Sequence, residues 1–528
     1  MLLRDLLRTK SLDDILASAE GGEGLKRTLG AFSLTLLGIG AIIGAGIFST
    51  VGTAAAGGAD HLGAGPALML SFVLTAVACG FAALCYAELA SMVPIAGSAY
   101  TYSYATLGEL VAWIIGWDLI LEYAVASSTV AHGWSHYFQD FIGLLGMKIP
   151  AVFSRAPFDY DPALGHLVLT GAWIDLPAII ITALVTVILV IGIRESAGFN
   201  AAMVIIKLII VLFVIAVGSF YVNPANWKPF APFGFAGISF FGHTLFGQTG
   251  AGGEPLGMLA GAAVIFFAYI GFDSISTHAE EAKNPRRDVP IGIIVSLVLC
   301  TVLYIAVAAI LTGMVPYNEI NIDAPVSDAF GRVGLPWARF LISLGALTGI
   351  TSVLLVMMLS QPRVLLAMAR DGLLPPSFFG AIHDRFRTPW KATILTGVFV
   401  ATVAALVPLR ILADLVNIGT LLAFVIVCGA VLVMRRTNPD AERPFRAPFV
   451  PLTPILGIVL CMLLMFSLPP ENWLRLAVWL LIGFVIYFGY SRSHSHLGKE
   501  LAHEIARHGV SPAGSPVTHT GKKPDDRG

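Results

Sequence analysis

The segment GIGAIIGAGIF spans residues 38–48 and carries four glycines, at positions 38, 40, 44 and 46. It lies inside a longer run, between Thr28 and Ala59, that contains no Asp, Glu, Lys or Arg. Such a run is long enough to cross a bilayer, which takes about 20 apolar residues. Because each glycine in a helix costs about 1 kcal/mol, the cluster favours an unwound stretch in the middle of a membrane helix. Irregular backbone at that depth is tolerated only where protein or water satisfies it, so the segment predicts a polar cavity.

A second segment of this kind, FFAYIGFDSISTHAEEAKNP, spans residues 266–285 and places Gly271 near the ionisable Asp273. Both segments would also fit two unrelated small-residue packing faces, which membrane helices commonly use. Interrupted helices at matching positions of two chain halves are instead typical of inverted-repeat transporters. The positions of the two segments favour this second interpretation.

The composition of the chain agrees with a membrane protein. Of its 528 residues, 56% are apolar and 12% are charged, and the mean hydropathy is +0.81. Soluble domains carry about 25% charged residues, so this chain has too little polar surface for a water-soluble globule. The net charge of -1 excludes the basic footprint that a nucleic-acid-binding protein needs.

Twelve segments have the length and composition of a membrane-spanning helix. The chain is therefore predicted to be an all-α polytopic membrane protein with 12 transmembrane helices. The segments lie near residues 31–57, 66–90, 108–138, 176–193, 197–222, 257–279, 289–314, 338–361, 392–409, 411–434, 451–469 and 473–491.

The distribution of basic residues predicts the orientation, since cytosolic loops are rich in Lys and Arg. With a cytosolic N-terminus, twenty-four of the 32 Lys and Arg residues fall inside and seven outside, while Lys207 lies within a span. We expect both termini in the cytosol, in a bacterial cytoplasmic membrane. The predicted regions are a cytosolic segment (1–30), a first five-helix repeat (31–222), an extracellular loop (223–256), a second repeat (257–434), helices 11 and 12 (451–491) and a cytosolic tail (492–528).

Interrupted helices expose main-chain groups of both polarities. The amino end of a half-helix presents N–H groups with partial positive charge, which suit a carboxylate. The opposite end presents carbonyl groups, which suit an ammonium. A site with both fits the zwitterionic head of an α-amino acid.

Five motifs in this order resemble the amino acid–polyamine–organocation transporters, and among them bacterial members of the cationic amino-acid transporter subfamily. The resemblance covers roughly residues 30–490. The motifs are GAIIGAGIF (40–48), YAELASMVPIAGSAYTYSY (86–104), GWDLILEYAVASSTVAHGWS (116–135), FFAYIGFDSISTHAEEAKNPRRDVPIGI (266–293) and SQPRVLLAMARDGLLPP (360–376).

This resemblance implies a LeuT-like fold: a five-plus-five inverted repeat with broken helices 1 and 6, and helices 11 and 12 at the periphery. It also implies main-chain contacts to the substrate. The substrate carboxylate would bind the amides of Ala45 and Gly46. The ammonium would bind carbonyl groups of Ile42, Phe267, Ala268 and Ile270.

Lys207 lies ten residues into span 5, which places it about 15 Å deep. A lysine side chain reaches only a few Å towards the surface, so Lys207 is expected to face the protein interior. One interpretation is a structural lysine held permanently by carbonyl groups. The other, which the resemblance implies, is a coupling site in which its ammonium replaces a sodium ion. The ammonium would then contact the carbonyl of Gly44 and the hydroxyl of Ser352, and its deprotonation would release span 1.

Three further side chains are candidates for shaping the substrate pocket. The resemblance places Glu122 of span 3 at the side-chain end of the pocket, and a hydrogen bond to a neighbouring helix would explain this acid equally well. Asp273, in the middle of span 6, would either interact with an amino group or accept hydrogen bonds from the broken backbone of that span. Met357 would line the distal pocket. Because methionine offers no acceptor for a cationic side chain, it favours small neutral substrates such as alanine, whereas Glu122 favours arginine or lysine.

These observations predict a secondary active transporter that takes up L-amino acids with protons by alternating access. A transporter or exchanger of cationic amino acids, sodium coupling, and an uncoupled channel or receptor remain open alternatives. The sequence lacks the helical HExxH and GxSxG motifs of hydrolytic enzymes and has no P-loop. We therefore expect no enzymatic activity, no ATP drive, and no cofactor or metal. The expected partners are the amino acid, protons and the bilayer, and an accessory subunit is left open.

Overall fold

A computed structural model describes residues 6–12, 15, 25, 27–44, 46–56, 63–161, 166–241, 243–249, 255–321, 324–407 and 409–500. The predicted contact residue Ala45 and the tail beyond residue 500 lie outside these ranges. Within them the chain is predominantly helical. Three short antiparallel hairpins accompany the helices, formed by β1 (Phe158–Asp161) with β2 (His166–Leu169), β3 (Ile238–Phe240) with β4 (His243–Phe246), and β5 (Gln248–Thr249) with β6 (Pro255–Leu256).

Eight helices in the described ranges are long and apolar enough to cross a membrane, and four shorter apolar helices accompany them. We number them α1 to α12 in chain order. The long helices are α2 (Gly65–Met92), α3 (Glu109–Leu144), α5 (Ser196–Tyr221), α6 (Met258–Glu281), α7 (Pro285–Met314), α8 (Pro336–Arg370), α10 (Leu415–Thr437) and α12 (Pro470–His494). The shorter ones are α1 (Ala31–Ile42), α4 (Leu176–Ile191), α9 (Trp390–Leu406) and α11 (Leu452–Phe466).

The twelve helices lie at the twelve predicted segments, so the prediction of a helical membrane protein is confirmed. That all twelve cross the bilayer stays a prediction. Short helices at Ala99–Thr106, Pro325–Arg332 and Pro376–Phe379 lie in the connections. The outer faces of α4, α5 and α7 carry exposed apolar side chains such as Leu184, Ile209 and Val302. Apolar surface of this extent is suited to lipid rather than water.

The helix that starts as α1 is interrupted where the glycine cluster predicts a break, and from here α1 denotes its two halves and the break between them, residues 31–56. Its first half ends at Ile42, and Ile43 is extended, with ψ of 103°. The chain resumes helical structure in a π-type turn at Gly46–Thr50 and continues as Val51–Ala56. The carbonyl groups that end the first half therefore lack intrahelical partners.

Helix α6 is interrupted as well. An α-helix at Met258–Ile265 continues as a tight turn, Phe266–Tyr269, and Ile270 is then extended. Gly271 has φ of +118°, a conformation that a residue with a side chain adopts only with strain. A second helical half follows at Asp273–Glu281.

Residues near both ends of the chain contact Glu109, the first residue of α3. Glu109, which is fully buried, accepts hydrogen bonds from the guanidinium of Arg8 at 2.8 and 2.9 Å. The same carboxylate accepts from the hydroxyls of Tyr104 and Tyr487, both at 2.9 Å, and of Ser495 at 2.5 Å. The described N-terminal residues and the start of the C-terminal segment therefore lie on one face of the protein.

Candidate substrate site

The Lys207 ammonium lies against the end of the first half of α1. It is fully buried and donates to the carbonyl groups of Ile39 at 2.9 Å, Gly40 at 3.1 Å and Ile43 at 2.6 Å. It also reaches the hydroxyl of Ser352 in α8, at 2.6 Å. A cation at the carboxyl end of a helix neutralises the partial negative charge of the exposed carbonyls. Lys207 therefore joins α1 to α5 and α8 through one charged group.

One of the two predicted partners of Lys207 is in contact with it. Ser352 is in contact, and its own hydroxyl lies 2.7 Å from the Gly349 carbonyl and 3.1 Å from that of Gly40. Gly44 is not one of the carbonyl partners. Its carbonyl instead accepts from the amides of Ile47 at 3.2 Å and Phe48 at 3.3 Å, because it closes the first turn of the second half. The ammonium contacts the preceding carbonyls in its place.

The interrupted parts of α1 and α6 pack directly against each other. A methyl group added at Gly46 would lie 2.5 Å from both the Cα and the Cβ of Ala268. One added at Gly271 would lie 2.8 Å from the Cβ of Ala41 and 2.9 Å from the Cε of Met357. Glycine is therefore required at both positions, because the two interrupted segments approach too closely to leave room for a Cβ atom. The same contact puts Met357 beside the α6 interruption, and its predicted role in lining the distal pocket stays a prediction.

Tyr304 of α7 bridges the two interruptions. Its hydroxyl lies 2.7 Å from the carbonyl oxygen of Ile42 in α1 and 2.9 Å from that of Ala268 in α6. Two of the four predicted ammonium contacts therefore share one hydroxyl. A hydroxyl has one proton, so it donates to only one of these carbonyls at a time. The carbonyl of Phe267, a third predicted contact, accepts from the amide of Ile270 at 3.4 Å.

The two predicted acids lie close together in the interior. Asp273 accepts a 2.5 Å hydrogen bond from the Tyr123 hydroxyl, while its second oxygen has no partner in the described part of the chain. Glu122 lies in a π-type turn of α3, Leu121–Val125, within reach of Asp273 and Thr420. Neither Glu122 oxygen makes a hydrogen bond of good geometry to any described residue. Two buried carboxyl groups this close repel each other when both are charged, so a proton or a cation between them is favoured.

Sequence reasoning missed the polar side chains that hold the interruptions from outside. Tyr304 is a single phenol in a long apolar helix, and no pattern distinguishes it from a packing residue. Asn200 donates to the Leu36 carbonyl of α1 at 3.2 Å. It precedes Lys207 by seven residues, or two helical turns, so the two side chains share one face of α5. That spacing is a signal that the sequence does contain.

Comparison with known proteins agrees with this geometry. A family model described as amino acid permease matches residues 29–512, most of the chain. The chain belongs to the amino acid permease family. The permease is 48% identical over 495 residues to the branched-chain amino acid permease BcaP of Bacillus subtilis (strain 168), covering 94% of this chain and 99% of that protein.

Two further relatives are named for other substrates. The permease is 46% identical over 497 residues to the methylthioribose transporter of Bacillus subtilis (strain 168), covering 94% of this chain and all of the relative. It is 38% identical over 445 residues to the vacuolar cationic amino acid transporter 4 of Arabidopsis thaliana, covering 83% of this chain and 68% of the relative. The resemblance to amino acid–polyamine–organocation transporters is confirmed, and relatives named as permeases and transporters agree with a protein that is not an enzyme.

Proposed function

We propose that the permease takes up neutral L-amino acids together with protons by alternating access. The observation that carries the proposal is the Lys207 ammonium, which joins three carbonyl groups of α1 to the Ser352 hydroxyl of α8. An ammonium donates three protons, while a neutral amine has two and carries no charge. Loss of one proton therefore weakens the attachment of the first half of α1, and this change would couple proton release to its movement.

The amino-acid head would bind between the two interruptions. Tyr304 has one proton for the carbonyls of Ile42 and Ala268, so one carbonyl can accept from a substrate ammonium without displacing the tyrosine. The second half of α1 begins at Gly46, and the first amides of a helix lack intrahelical partners. The substrate carboxylate would bind the amide of Gly46 and, as the resemblance implies, that of Ala45, which lies outside the described residues.

The side-chain end of the pocket favours neutral substrates. Met357 is buried and lies against Gly271 at the α6 interruption, and its thioether offers nothing to a guanidinium or ammonium. A relative named as a branched-chain amino acid permease supports a neutral substrate. Glu122, with two unpartnered oxygens among the described residues, favours the alternative of a cationic substrate, as do relatives named as cationic amino acid transporters.

Uptake into proteoliposomes tests the coupling. With an inward pH gradient, the wild-type permease should accumulate a neutral amino acid above equilibrium. Lys207→Ala should abolish this accumulation, whereas Lys228→Ala, which removes an exposed lysine outside the spans, should leave it unchanged. Accumulation by Lys207→Ala at the wild-type level would overturn the coupling proposal. Accumulation that follows a sodium gradient would indicate sodium coupling, and mere equilibration would indicate a channel.

Thermal stabilisation by a ligand panel tests the substrate class, because a ligand stabilises the folded state by RT ln(1 + [L]/Kd). The panel contains alanine, valine, leucine, arginine and methylthioribose. We expect the largest shifts from the neutral amino acids. A shift from arginine well above that from alanine would overturn the role of Met357, and a response to methylthioribose alone would exclude an amino-acid substrate.

We further propose twelve spans, with both termini in the cytosol of a bacterium, and two inverted repeats, α1–α5 and α6–α10. Matching interruptions in α1 and α6 support the repeats, and the shared contacts of Arg8 and Ser495 with Glu109 support an even number of spans. The five native cysteines are buried, so cysteines introduced singly report orientation. Ser493→Cys should react with an impermeant maleimide only in opened cells, and Lys228→Cys in intact cells. The reverse pattern would contradict the orientation.

A further inference from the structure

A groove lies between the starts of α1 and α5, away from the candidate substrate site. Its cavity volume is about 470 Å³. One end carries two cationic side chains, and the remaining wall is mainly apolar. We call it the basic groove; its lining residues are Arg27, Thr28, Leu29, Phe32, Ser33, Leu36, Ala197, Gly198, Ala201 and Lys283.

Main-chain hydrogen bonds connect the two chain segments that carry the cations of the basic groove. Residues 28–29 run parallel to residues 281–283, with Leu29 paired to Ala282. The amides of Thr28 and Leu29 donate to the Glu281 carbonyl at 2.9 and 3.0 Å, and the amide of Lys283 donates to the Leu29 carbonyl at 2.7 Å. Arg27 precedes this pairing and Lys283 follows it at the other end. The backbone therefore fixes where each cation enters the lining of the basic groove.

No acid neutralises this pair among the residues that the structure describes. Arg27 and Lys283 are both exposed. The neighbouring acids are already engaged, Glu280 with Arg370 at 2.7 Å and Glu281 with Arg363 at 2.9 Å. An anion in the basic groove would be attracted by both of these cations.

The apolar wall of the basic groove is suited to a hydrocarbon chain. Phe32 is 74% exposed on a helix whose surroundings are lipid, and Leu36, Ala197 and Ala201 continue the apolar surface. A methyl group placed at Gly198 would meet no atom within 4 Å, so the backbone of α5 leaves open space at this point. A purely soluble anion would not use this wall.

We propose that the basic groove binds an anionic phospholipid, with its phosphate between Arg27 and Lys283 and an acyl chain along Phe32 and Gly198. Basic pockets between membrane helices at the cytosolic face are known sites for acidic headgroups. Because the groove lies between α1 and α5, the bound lipid stabilises the contact of the first half of α1 with α5. The site goes beyond the proposed transport activity. Only its assignment to the inner leaflet rests on the proposed orientation.

Native mass spectrometry of the full chain in detergent tests the proposal with phosphatidylglycerol and phosphatidylcholine as probes. We expect wild-type protein to retain phosphatidylglycerol in preference to phosphatidylcholine. Since each juxtamembrane cation contributes roughly a factor of five in affinity, Arg27→Gln/Lys283→Gln should bind phosphatidylglycerol about twenty-five-fold more weakly. The matched control, Arg287→Gln/Arg436→Gln, removes two exposed cations of the same face outside the groove and should bind as the wild type does.

Two further arms separate a lipid from other occupants. Gly198→Phe fills the groove and leaves both cations, so it should also lose phosphatidylglycerol; retention at the wild-type level would overturn the placement of the acyl chain. Glycerol phosphate, a soluble headgroup, should not displace the bound lipid at millimolar concentration. Displacement would assign the site to a free anion. Equal retention of the two lipids, or equal binding by the two double variants, would refute the proposal without touching the transport function.

Discussion

Replacing Glu281 with Gln removes one charge from an ion pair that has no access to solvent. Glu281 at the end of α6 lies 2.9 Å from the guanidinium of Arg363 in α8, and their side chains are 1% and 0% exposed. At an effective dielectric constant of about 20, charges at that distance attract by about 6 kcal/mol, and much of this attraction is offset by the desolvation of both groups. Removing one partner leaves the other charge buried and unpaired, which costs about 3–5 kcal/mol.

Thermal unfolding of the purified full chain measures this cost. Glu281→Gln should lower the Tm by several degrees, whereas Glu281→Leu/Arg363→Leu, which removes both charges, should lie close to the wild type. Arg286→Gln provides the matched control, since its pair with Glu442 is 3.1 Å long but 49% and 78% exposed, and such pairs contribute about 0–1 kcal/mol. A Glu281→Gln variant no less stable than Arg286→Gln would refute the reasoning. So would a double variant as unstable as the single one.

Three further predictions concern packing, hydrogen bonding and pH. Gly46→Ala places a methyl group 2.5 Å from Ala268 and should abolish uptake, whereas Gly80→Ala, in open space on α2, should not. Tyr304→Phe removes the donor shared by two buried carbonyls and should destabilise the protein by about 1–3 kcal/mol in chemical or thermal unfolding. Burial raises the pKa of Asp175, outside the spans, to about 6. The folded protein therefore binds the proton of Asp175 more tightly than the unfolded chain does, and the free energy of unfolding falls as pH rises from about 4 to about 6. Asp175→Asn should remove this fall, so that the Tm changes less with pH over that range. A Tm that depends on pH as in the wild type would contradict the raised pKa of Asp175.

The helical fold was predictable because membrane spans are encoded by composition. Long apolar runs and clustered glycines mark both the helices and the interruption of α1, and Gly271 marks that of α6. The depth of Lys207 followed from counting residues, and the structure brings its ammonium to Ser352. These features depend on local sequence, which a single chain displays in full.

Features that depend on tertiary contact could not be predicted in the same way. Lys207 contacts the carbonyl of Ile43 rather than that of Gly44, because the Gly44 carbonyl accepts hydrogen bonds from the turn that follows it. The π-type turn that carries Glu122 inserts a residue into α3 and changes the direction of this side chain by an amount that no periodicity indicates. Tyr304 became a site residue only when α7 was placed against both interruptions.

The convergence of both chain ends on Glu109 has a practical consequence for anyone who shortens or extends this protein. Trimming the first ten residues, or ending the chain before Ser495, takes away different donors from the same sequestered carboxylate. The two truncations should therefore be non-additive in their effect on the free energy of unfolding.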